Sequence, residues 1–171
     1  MALSPQRAGS EEAAKEAALR ILARGPRTER ELTIRLRDRG YESEAVAGAL
    51  ARLRRVSLVD DRAFVRSFLR TELFKAAQGR KLLQMKLRRR GISDALIREL
   101  DSFLEEDPDL EGRELTSEEG RAAAGVTQLR RRYDRLKPDV YRRRMQQALA
   151  RRGFSWDTIR DLLGEATEHD R

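Results

Sequence analysis

The sequence predicts an all-α protein made of three tandem three-helix repeats. The first observation is a spacing that occurs three times: two apolar residues four apart, a glycine four residues later, and an apolar residue directly after it. The second is composition, because 39% charged and 5% aromatic residues suit helices with narrow apolar stripes better than a sheet. The third is that three such small repeats together could bury a core that one alone could not. The three copies are Leu32-Leu36-Gly40-Tyr41, Leu83-Leu87-Gly91-Ile92 and Met145-Leu149-Gly153-Phe154.

Each copy of the spacing predicts a helix, a glycine turn and a second helix. Apolar residues four apart share one helix face. Arg39, Arg90 and Arg152 precede the glycines, where cations suit the negative end of a helix dipole. The glycines supply the left-handed residue that ends many helices. In the second and third copies, Ser93 and Ser155 are suited to cap the helix that follows.

The first repeat is expected over residues 16–57, after a flexible tail at 1–15. Its first helix is expected from about Glu11, overlapping this tail, to Arg24, and Gly25-Pro26 ends it. Thr28 and Glu31 form a capping box that opens the second helix. Gly40 ends that helix, and the third runs over about Ser43–Arg54.

The second repeat is expected over residues 58–106 and the third over 117–167, with an acidic linker at 107–116 and a tail at 168–171. Asp60 or Asp61 caps a helix that buries Phe64 and Phe68, with Val65 and Leu69 on the adjacent stripe. Helices at 80–90 and 93–105 follow Gln78-Gly79. Beyond the linker, Thr116–Glu119 forms another capping box, Lys137-Pro138 interrupts the pattern, and a last helix begins at Ser155.

Positive charge is concentrated in two segments on either side of the acidic linker. Residues 75–98 carry a net charge of +7 and residues 121–152 carry +9, whereas residues 99–119 carry −9. With +8 over the whole chain, this distribution favours an anionic partner: nucleic acid, an acidic protein surface or a membrane surface. The candidate binding residues are Arg80, Lys81, Lys86, Arg88, Arg89, Arg90, Arg130, Arg131, Arg132, Arg142, Arg143, Arg144, Arg151 and Arg152.

These cations also have a structural explanation. Those at 88–90 and 151–152 end helices, where the dipole alone favours a cation by roughly 0.3–1 kcal/mol. The triplets at 130–132 and 142–144 lie inside helices with few acidic neighbours. Three adjacent positions span about 200° of a helix surface, and their mutual repulsion is relieved by an anion. The triplets therefore point more strongly to anion binding.

The residues do not predict an enzyme, a cofactor or a metal site. The single histidine, His169, is third from the end, and cysteine is absent. There is no phosphate-binding loop ending in Gly-Lys-Ser/Thr and no Gly-x-Ser-x-Gly elbow. Asp60-Asp61 could be a metal pair, but helix capping is the better interpretation. Trp156 is either an exposed binding anchor or, as we prefer, packed on a neighbouring repeat.

The first repeat also has the order of a helix-turn-helix DNA reader, with 43–54 as the recognition helix. Its exposed positions would be acidic or small, including Glu42, Glu44 and Ala47. Base reading requires Arg, Asn or Gln there, so the sequence disfavours major-groove recognition by this repeat. No apolar signal core or membrane-length run occurs, and we expect a cytoplasmic protein without membrane contact.

Three stretches resemble the RecX regulatory proteins, bacterial modulators of the RecA recombinase. They are Arg27–Leu32 with Leu36 and Arg39-Gly40-Tyr41; Leu58–Val65; and Gly79–Leu83 with Leu87 and Arg90-Gly91-Ile92. The likeness covers about Ala17–Leu100 directly and extends to the third repeat by its internal repetition. Two departures are Val56-Ser57, where a glycine often precedes the Leu-Ile-Asp block of the family, and a long acidic linker.

The resemblance implies an elongated, curved array of repeats that binds in the helical groove of the RecA–DNA filament. It also implies suppression of RecA ATPase, strand exchange and coprotease activities, by blocking filament extension or by promoting disassembly. The expected partners are the RecA filament and single-stranded DNA, with double-stranded DNA as a further candidate, and we expect a monomer. The alternatives are a DNA-binding helical-repeat protein that acts without RecA and, less supported, a nucleic-acid enzyme.

Overall fold

The computed structural model describes residues 4–110 and 114–164, and within these ranges all the regular elements are helices. They are α1 Pro5–Ala8, α2 Glu11–Leu22, α3 Glu29–Asp38, α4 Ser43–Arg55, α5 Asp61–Lys75, α6 Arg80–Arg89, α7 Asp94–Arg98, α8 Leu100–Glu105, α9 Glu118–Tyr133, α10 Pro138–Arg151 and α11 Trp156–Leu163. The three repeats correspond to α2–α4, α5–α8 and α9–α11. The all-α prediction with three tandem three-helix repeats is thus confirmed.

The recurrent glycine turns adopt the predicted conformation. Gly40, Gly91 and Gly153 have φ of 89°, 83° and 83°, the left-handed region that an L side chain rarely adopts. Each follows the second helix of its repeat, and the apolar residue directly after it is buried in every case. The spacing found in the sequence therefore marks one turn used three times.

Helix starts follow local capping chemistry at several predicted positions. The Thr28 hydroxyl accepts from the Glu31 amide at 3.1 Å, and the Ser155 hydroxyl accepts from the Thr158 amide at 3.1 Å. Asp60, rather than Asp61, caps α5, since its Oδ1 accepts from the amides of Arg62 and Ala63. The α9 cap is Ser117, one residue later than the box predicted at Thr116, because the Ser117 hydroxyl accepts from Gly120.

The predicted flexible tail at 1–15 differs from the structure, which has α1 and the start of α2 in this range. Ser10 accepts from the Ala13 amide, and Ala14 is fully buried, so capping and packing order this segment. Residues 1–3, the tail at 168–171 and His169 lie outside the described residues.

The second repeat departs from the prediction at two points. The helix expected over 93–105 is divided at Glu99, whose ψ of 8° leaves the helical region, into α7 and α8. On α5, Val65 and Leu69 are the fully buried pair, whereas Phe64 and Phe68 are only partly buried. The smaller side chains of this pair of stripes are thus the more deeply buried ones.

The chain forms two compact units. One comprises Met1–Val65 with Arg88–Asp94, and the other Arg66–Leu87 with Ala95–Arg171, as far as these ranges are described. The first has a core from α2, α3 and α4 that includes Ala14, Leu32 and Leu50. In the second, one core cluster joins Ala77 to the third repeat through Met145, Leu149 and other residues.

A membrane span was sought among the described helices, and none combines the length and the apolarity that crossing a bilayer requires.

Candidate nucleic-acid and protein interface

Several of the fourteen predicted binding cations form ion pairs with other described residues. Arg80 pairs with Asp101, and Lys86 pairs with Glu72 while donating to Gln78 Oε1 at 2.8 Å. Arg88 Nε donates to Asp94 at 3.1 Å, and Arg90 Nη1 to Glu31 at 2.9 Å. The structure thus gives Arg80, Lys86, Arg88 and Arg90 structural partners, and two of these, Arg80 and Lys86, are also partly buried.

The Lys86–Glu72 contact belongs to a small polar cluster around the α5–α6 connection. Burial tends to raise the pKa of Glu72, but hydrogen bonds from Lys86 and Gln78 outweigh it and hold the pKa below its usual value. Gln78 is itself buried and donates from Nε2 to the backbone oxygen of Glu72 at 3.1 Å. Lys86 therefore stabilises the carboxylate of its neighbour, a use that competes with binding an external anion.

Arg152 has a mixed environment. Its Nη1 donates to Gln128 Oε1 at 2.9 Å, and the same oxygen accepts from the Ala77 amide at 3.2 Å. Partial burial lowers the pKa of the Arg152 guanidinium. The residue therefore contributes to the packing of the third repeat as well as to its charge.

Apart from Arg152, nine predicted cations remain, of which eight are exposed and Arg142 is partly buried. Lys81, Arg89 and Arg151 are exposed, and none forms an ion pair with another residue in the described ranges. The same holds for Arg130, Arg131, Arg143 and Arg144, which are all exposed and have no ion-pair partner at 4–110 or 114–164. The Arg132 guanidinium lies 5.8 Å from the centroid of the Tyr133 ring, a cation–π distance.

Two arginine triplets fall at the same end of a helical hairpin. Arg130–Arg132 occupies the last turn of α9, and Arg142–Arg144 lies in the second turn of α10, which follows a four-residue connection. Such short connections join antiparallel neighbours. We call the eight cations between 130 and 144 the α9–α10 basic cluster: Arg130, Arg131, Arg132, Arg135, Lys137, Arg142, Arg143 and Arg144.

The α9–α10 basic cluster has the chemistry of an anion-binding surface. Against its eight cations stand only Asp134 and Asp139, giving a net charge of +6 over 130–144. Guanidinium groups donate two parallel hydrogen bonds to a phosphate or a carboxylate. The surface can therefore bind nucleic-acid phosphates or the acidic side chains of a protein without first breaking internal ion pairs at Arg130, Arg131, Arg143 and Arg144.

Acidic residues at and just before the start of the acidic linker form ion pairs with α5. Asp107, buried despite its charge, accepts from Arg70 Nε at 3.2 Å and Nη2 at 3.1 Å. Arg70 Nη1 also pairs with Asp109 at 2.5 Å, and Arg66 pairs with Glu106 at 3.7 Å. Since Glu106, Asp107 and Asp109 have these partners, they do not neutralise the arginine triplets. Part of the predicted linker, residues 111–113, lies outside the described ranges.

Arg121 belongs to the basic segment by sequence but to the core by structure. It is 1% exposed, and it donates from Nε to the Gln78 oxygen at 3.2 Å. Its Nη1 donates to the backbone oxygens of Leu115 and Thr116 at 2.9 and 2.7 Å. Burial lowers the pKa of this guanidinium, while Glu118 and Glu119 act to raise it. Backbone carbonyl acceptors cannot be recognised from residue types, so the sequence did not predict that Arg121 is buried. The small residues that follow it are compatible with a buried position.

Trp156 is 58% exposed, so the preferred prediction that it packs on a neighbouring repeat is wrong. It occupies the first position of α11, where the following Ile159 is the buried residue and the indole lies on the outer side. Exposed aromatic side chains are frequent anchors in protein interfaces.

The adjacent aspartates have structural contacts: Asp60 caps α5, and Asp61 accepts from an amide of α3. Within the described ranges, no three His, Asp or Glu side chains are grouped as metal ligands would be.

Comparison with protein families gives one match for each repeat. The first three-helix domain of RecX matches residues 14–53, the second matches 60–100 and the third matches 122–163. These ranges contain the three glycine turns and leave out the acidic connector. The repeats deduced from internal spacing are therefore the domains of this family.

Individual relatives match over nearly the whole chain. The Regulatory protein RecX of Chlorobaculum tepidum is 34% identical over 161 residues, with 92% of each chain covered. That of Halorhodospira halophila is 35% identical over 93% of this chain and 91% of its own. The crystal structure of RecX from Lactobacillus salivarius has the same fold, with a TM-score of 0.73 at 22% identity, over 91% of this chain and 96% of that one.

Proposed function

The chain belongs to the RecX family of regulatory proteins, and we propose that it is a negative regulator of RecA that binds the groove of the RecA–DNA filament. It would inhibit the ATPase, strand-exchange and coprotease activities of RecA by blocking filament extension or by promoting disassembly. Besides family membership, the structural observation that supports the proposal is the α9–α10 basic cluster. Within the described residues, Arg130, Arg131, Arg143 and Arg144 of this cluster are exposed and form no ion pair, which suits a target made of phosphates and acidic side chains.

Two further features support a regulator and not a catalyst. The family is one of regulatory proteins, and the carboxylates of Asp60, Asp61 and Asp107 act in capping, cross-helix and ion-pair contacts. The exposed Trp156 adds an aromatic group suited to a protein surface. A chain with both a basic cluster and an exposed aromatic side chain suits a filament that presents both protein and DNA.

The decisive experiment measures the ATPase rate of RecA on single-stranded DNA during titration with this protein. In parallel, its affinity for the same DNA is measured without RecA. Inhibition at concentrations well below the dissociation constant for naked DNA would identify the filament as the target. If RecA filaments form normally and the ATPase rate does not fall, the proposal is wrong.

A charge variant connects the experiment to the cluster. Replacing Arg142, Arg143 and Arg144 by Ala should weaken inhibition while helix content is retained, because alanine favours helix. The control is R37A/R55A, which removes two exposed cations of the first repeat that were not candidates. Equal loss in both variants would indicate only a general effect of net charge.

The alternative is a DNA-binding protein that acts without RecA, and the same positive cluster supports it. It predicts tight, strongly salt-dependent binding to naked DNA and inhibition only at concentrations where free DNA is coated. The parallel titrations separate the two functions, since only the first gives inhibition below the DNA dissociation constant.

A further inference from the structure

A cavity of about 350 Å³ in the first repeat is lined mainly by arginine. Its apolar part comes from Ala17, Ile21 and the largely buried ring of Tyr41. No carboxylate is among the lining side chains, and the whole cavity lies within one compact unit. The cationic part consists of Arg20, Arg24, Arg27, Arg35 and Arg39.

These five guanidinium groups are weakly engaged by the protein. Arg24 and Arg39 form no ion pair with any residue of the described ranges, and neither was a candidate binding residue. The ion pairs of Arg20 with Glu16 and of Arg35 with Glu31 are both 3.8 Å long, beyond hydrogen-bond distance, and the one hydrogen bond of Arg35 that the described residues show is a 3.3 Å contact from Nη1 to the Glu31 backbone oxygen. An anion entering the cavity would therefore displace little.

Arg27 has donor capacity that its surroundings do not use. Its Nη1 donates to the adjacent Pro26 oxygen at 2.7 Å, whereas its Nε is buried and has no acceptor among the described residues. A buried donor without an acceptor is costly. A ligand oxygen that drew the guanidinium toward the cavity would offset this cost.

The three repeats differ in how they use the arginine before the turn glycine, and this difference shows that the helix dipole does not by itself explain the arginines around the cavity. Arg39, Arg90 and Arg152 occupy the same position before the turn glycine. Arg90 pairs with Glu31 and Arg152 with Gln128, but Arg39 lines the cavity and has no such partner among residues 4–110 and 114–164. The dipole of a helix end favours one cation at each of these positions and gives no reason for five to surround one cavity.

We propose that this cavity is a phosphate-binding site. Guanidinium groups bind phosphate oxygens through paired hydrogen bonds, and several together compensate more than one negative charge. A volume of about 350 Å³ is at the lower end of ligand pockets, enough for a phosphate group and part of what it is attached to. The apolar part, Ala17, Ile21 and Tyr41, suits a sugar or base. The phosphate would come either from a free nucleotide or from a nucleic-acid strand.

The test uses the full chain and two probes. ATP is titrated by calorimetry, and a fluorescent single-stranded oligonucleotide by anisotropy, against the wild type, R24A/R39A and the control R37A/R55A. The control removes the same charge from the same repeat but outside the cavity. We expect R24A/R39A to lose about tenfold or more in affinity, and the control to change by about twofold or less, since only the former removes paired donors.

The outcomes assign the ligand or overturn the site. Selective loss for ATP identifies a nucleotide, and selective loss for the oligonucleotide identifies a strand. Equal losses in both variants, no binding of either probe, or binding only of an acidic peptide such as polyglutamate would overturn the proposal. If R24A/R39A does not fold by circular dichroism, R24K/R39K keeps the charge without the paired donors and is expected to bind more weakly than the wild type. RecA inhibition is not used as a readout, so failure of the proposed function would be seen separately.

Discussion

Asp60 and Asp61 are adjacent carboxylates with different contacts. Asp60 caps its own helix, whereas Asp61 Oδ1 accepts from the backbone amide of Glu29, the first residue of α3, at 3.0 Å. Burial raises the pKa of Asp61, and the charges of Glu29, Asp60 and Glu31 raise it further, against the lowering effect of the amide hydrogen bond. The acceptor at this position is therefore useful to the fold, but its negative charge is unfavourable.

Asp61→Asn should retain the acceptor and remove the charge. A carboxyl with a raised pKa in the folded state binds its proton more tightly there than in the unfolded chain. As the pH falls from 7 through the raised pKa of Asp61, the wild type should gain unfolding free energy relative to the asparagine variant. Urea unfolding across pH 7 to 4 measures this difference. Asp61→Ala lacks the acceptor and should be less stable than Asp61→Asn throughout, and the prediction fails if the two variants behave alike.

Local side-chain contacts could be predicted from the sequence, and long-range ones could not. The Thr28 and Ser155 hydroxyls each accept from the amide three residues later. Residue type and spacing were therefore sufficient to predict these caps. The Asp61–Glu29 contact joins residues 32 apart, and Arg121 binds carbonyls on two other segments. Such contacts depend on how helices pack, which a charge pattern does not specify. For the same reason Arg121 was indistinguishable by sequence from an exposed arginine.

The helices of the second and third repeats are joined through the glycine turn. The Gly79 amide donates to the Arg152 oxygen at 2.9 Å, and the Lys81 amide to the Gly153 oxygen at 3.2 Å. Amides at a helix start lack partners within the helix, and here the end of α10 supplies their acceptors. In the first unit, Thr28 Oγ1 similarly donates to the Arg90 oxygen at 2.7 Å. In both places the start of one repeat's second helix meets the glycine turn of the next repeat.

Gly79→Ala should destabilise the protein without straining its backbone. A Cβ at Gly79 would lie 2.3 Å from backbone atoms of Gly153 and Phe154, and backbone cannot move aside as a side-chain end does. Overpacking of this kind typically costs about 1–3 kcal/mol. The control is Gly48→Ala inside α4, where the three atoms nearest the added Cβ all belong to the flexible Glu11 side chain. This substitution gains helix propensity of up to about 1 kcal/mol. Thermal unfolding of both variants measures the contrast, and equal melting temperatures would refute it.

Regular elements were predictable where one pattern governed them. The three glycine turns and most helices follow from apolar spacing and a residue that must adopt positive φ. The division of the helix at Glu99 was not predicted, because no glycine or proline marks it. The short helix α1 was missed since its neighbours read as tail, although Pro5 at its start is a known helix opener. Residues 107–110 were predicted to be part of the linker, yet Asp107 and Leu110 are buried.

At the scale of the molecule, ion pairs between described residues, and not charge density, separate structural from available cations. The predicted fourteen candidates were chosen by charge density, which could not tell Lys86, held by Glu72, from Arg143 or Arg144. Ion pairs with distant carboxylates made the difference, and these depend on the fold. What sequence did locate was the α9–α10 basic cluster, because its triplets have few acidic residues within one helical turn.

The salt dependence of DNA binding should identify which molecule the α9–α10 basic cluster contacts. If Arg130, Arg131, Arg143 and Arg144 each neutralise one phosphate, changing all four to Ala should reduce the slope of log K against log salt by about 3 for single-stranded DNA, at about 0.7 per phosphate. Anisotropy titrations between 50 and 300 mM salt, roughly the range in which such slopes are measured, give this number. R37A/R55A should leave the slope within about 0.5 of the wild type, because exposed cations away from the DNA release no counterions. An unchanged slope in the fourfold variant, combined with lost inhibition of RecA, would mean that these arginines bind acidic groups of the filament protein and that DNA contacts lie elsewhere on the chain.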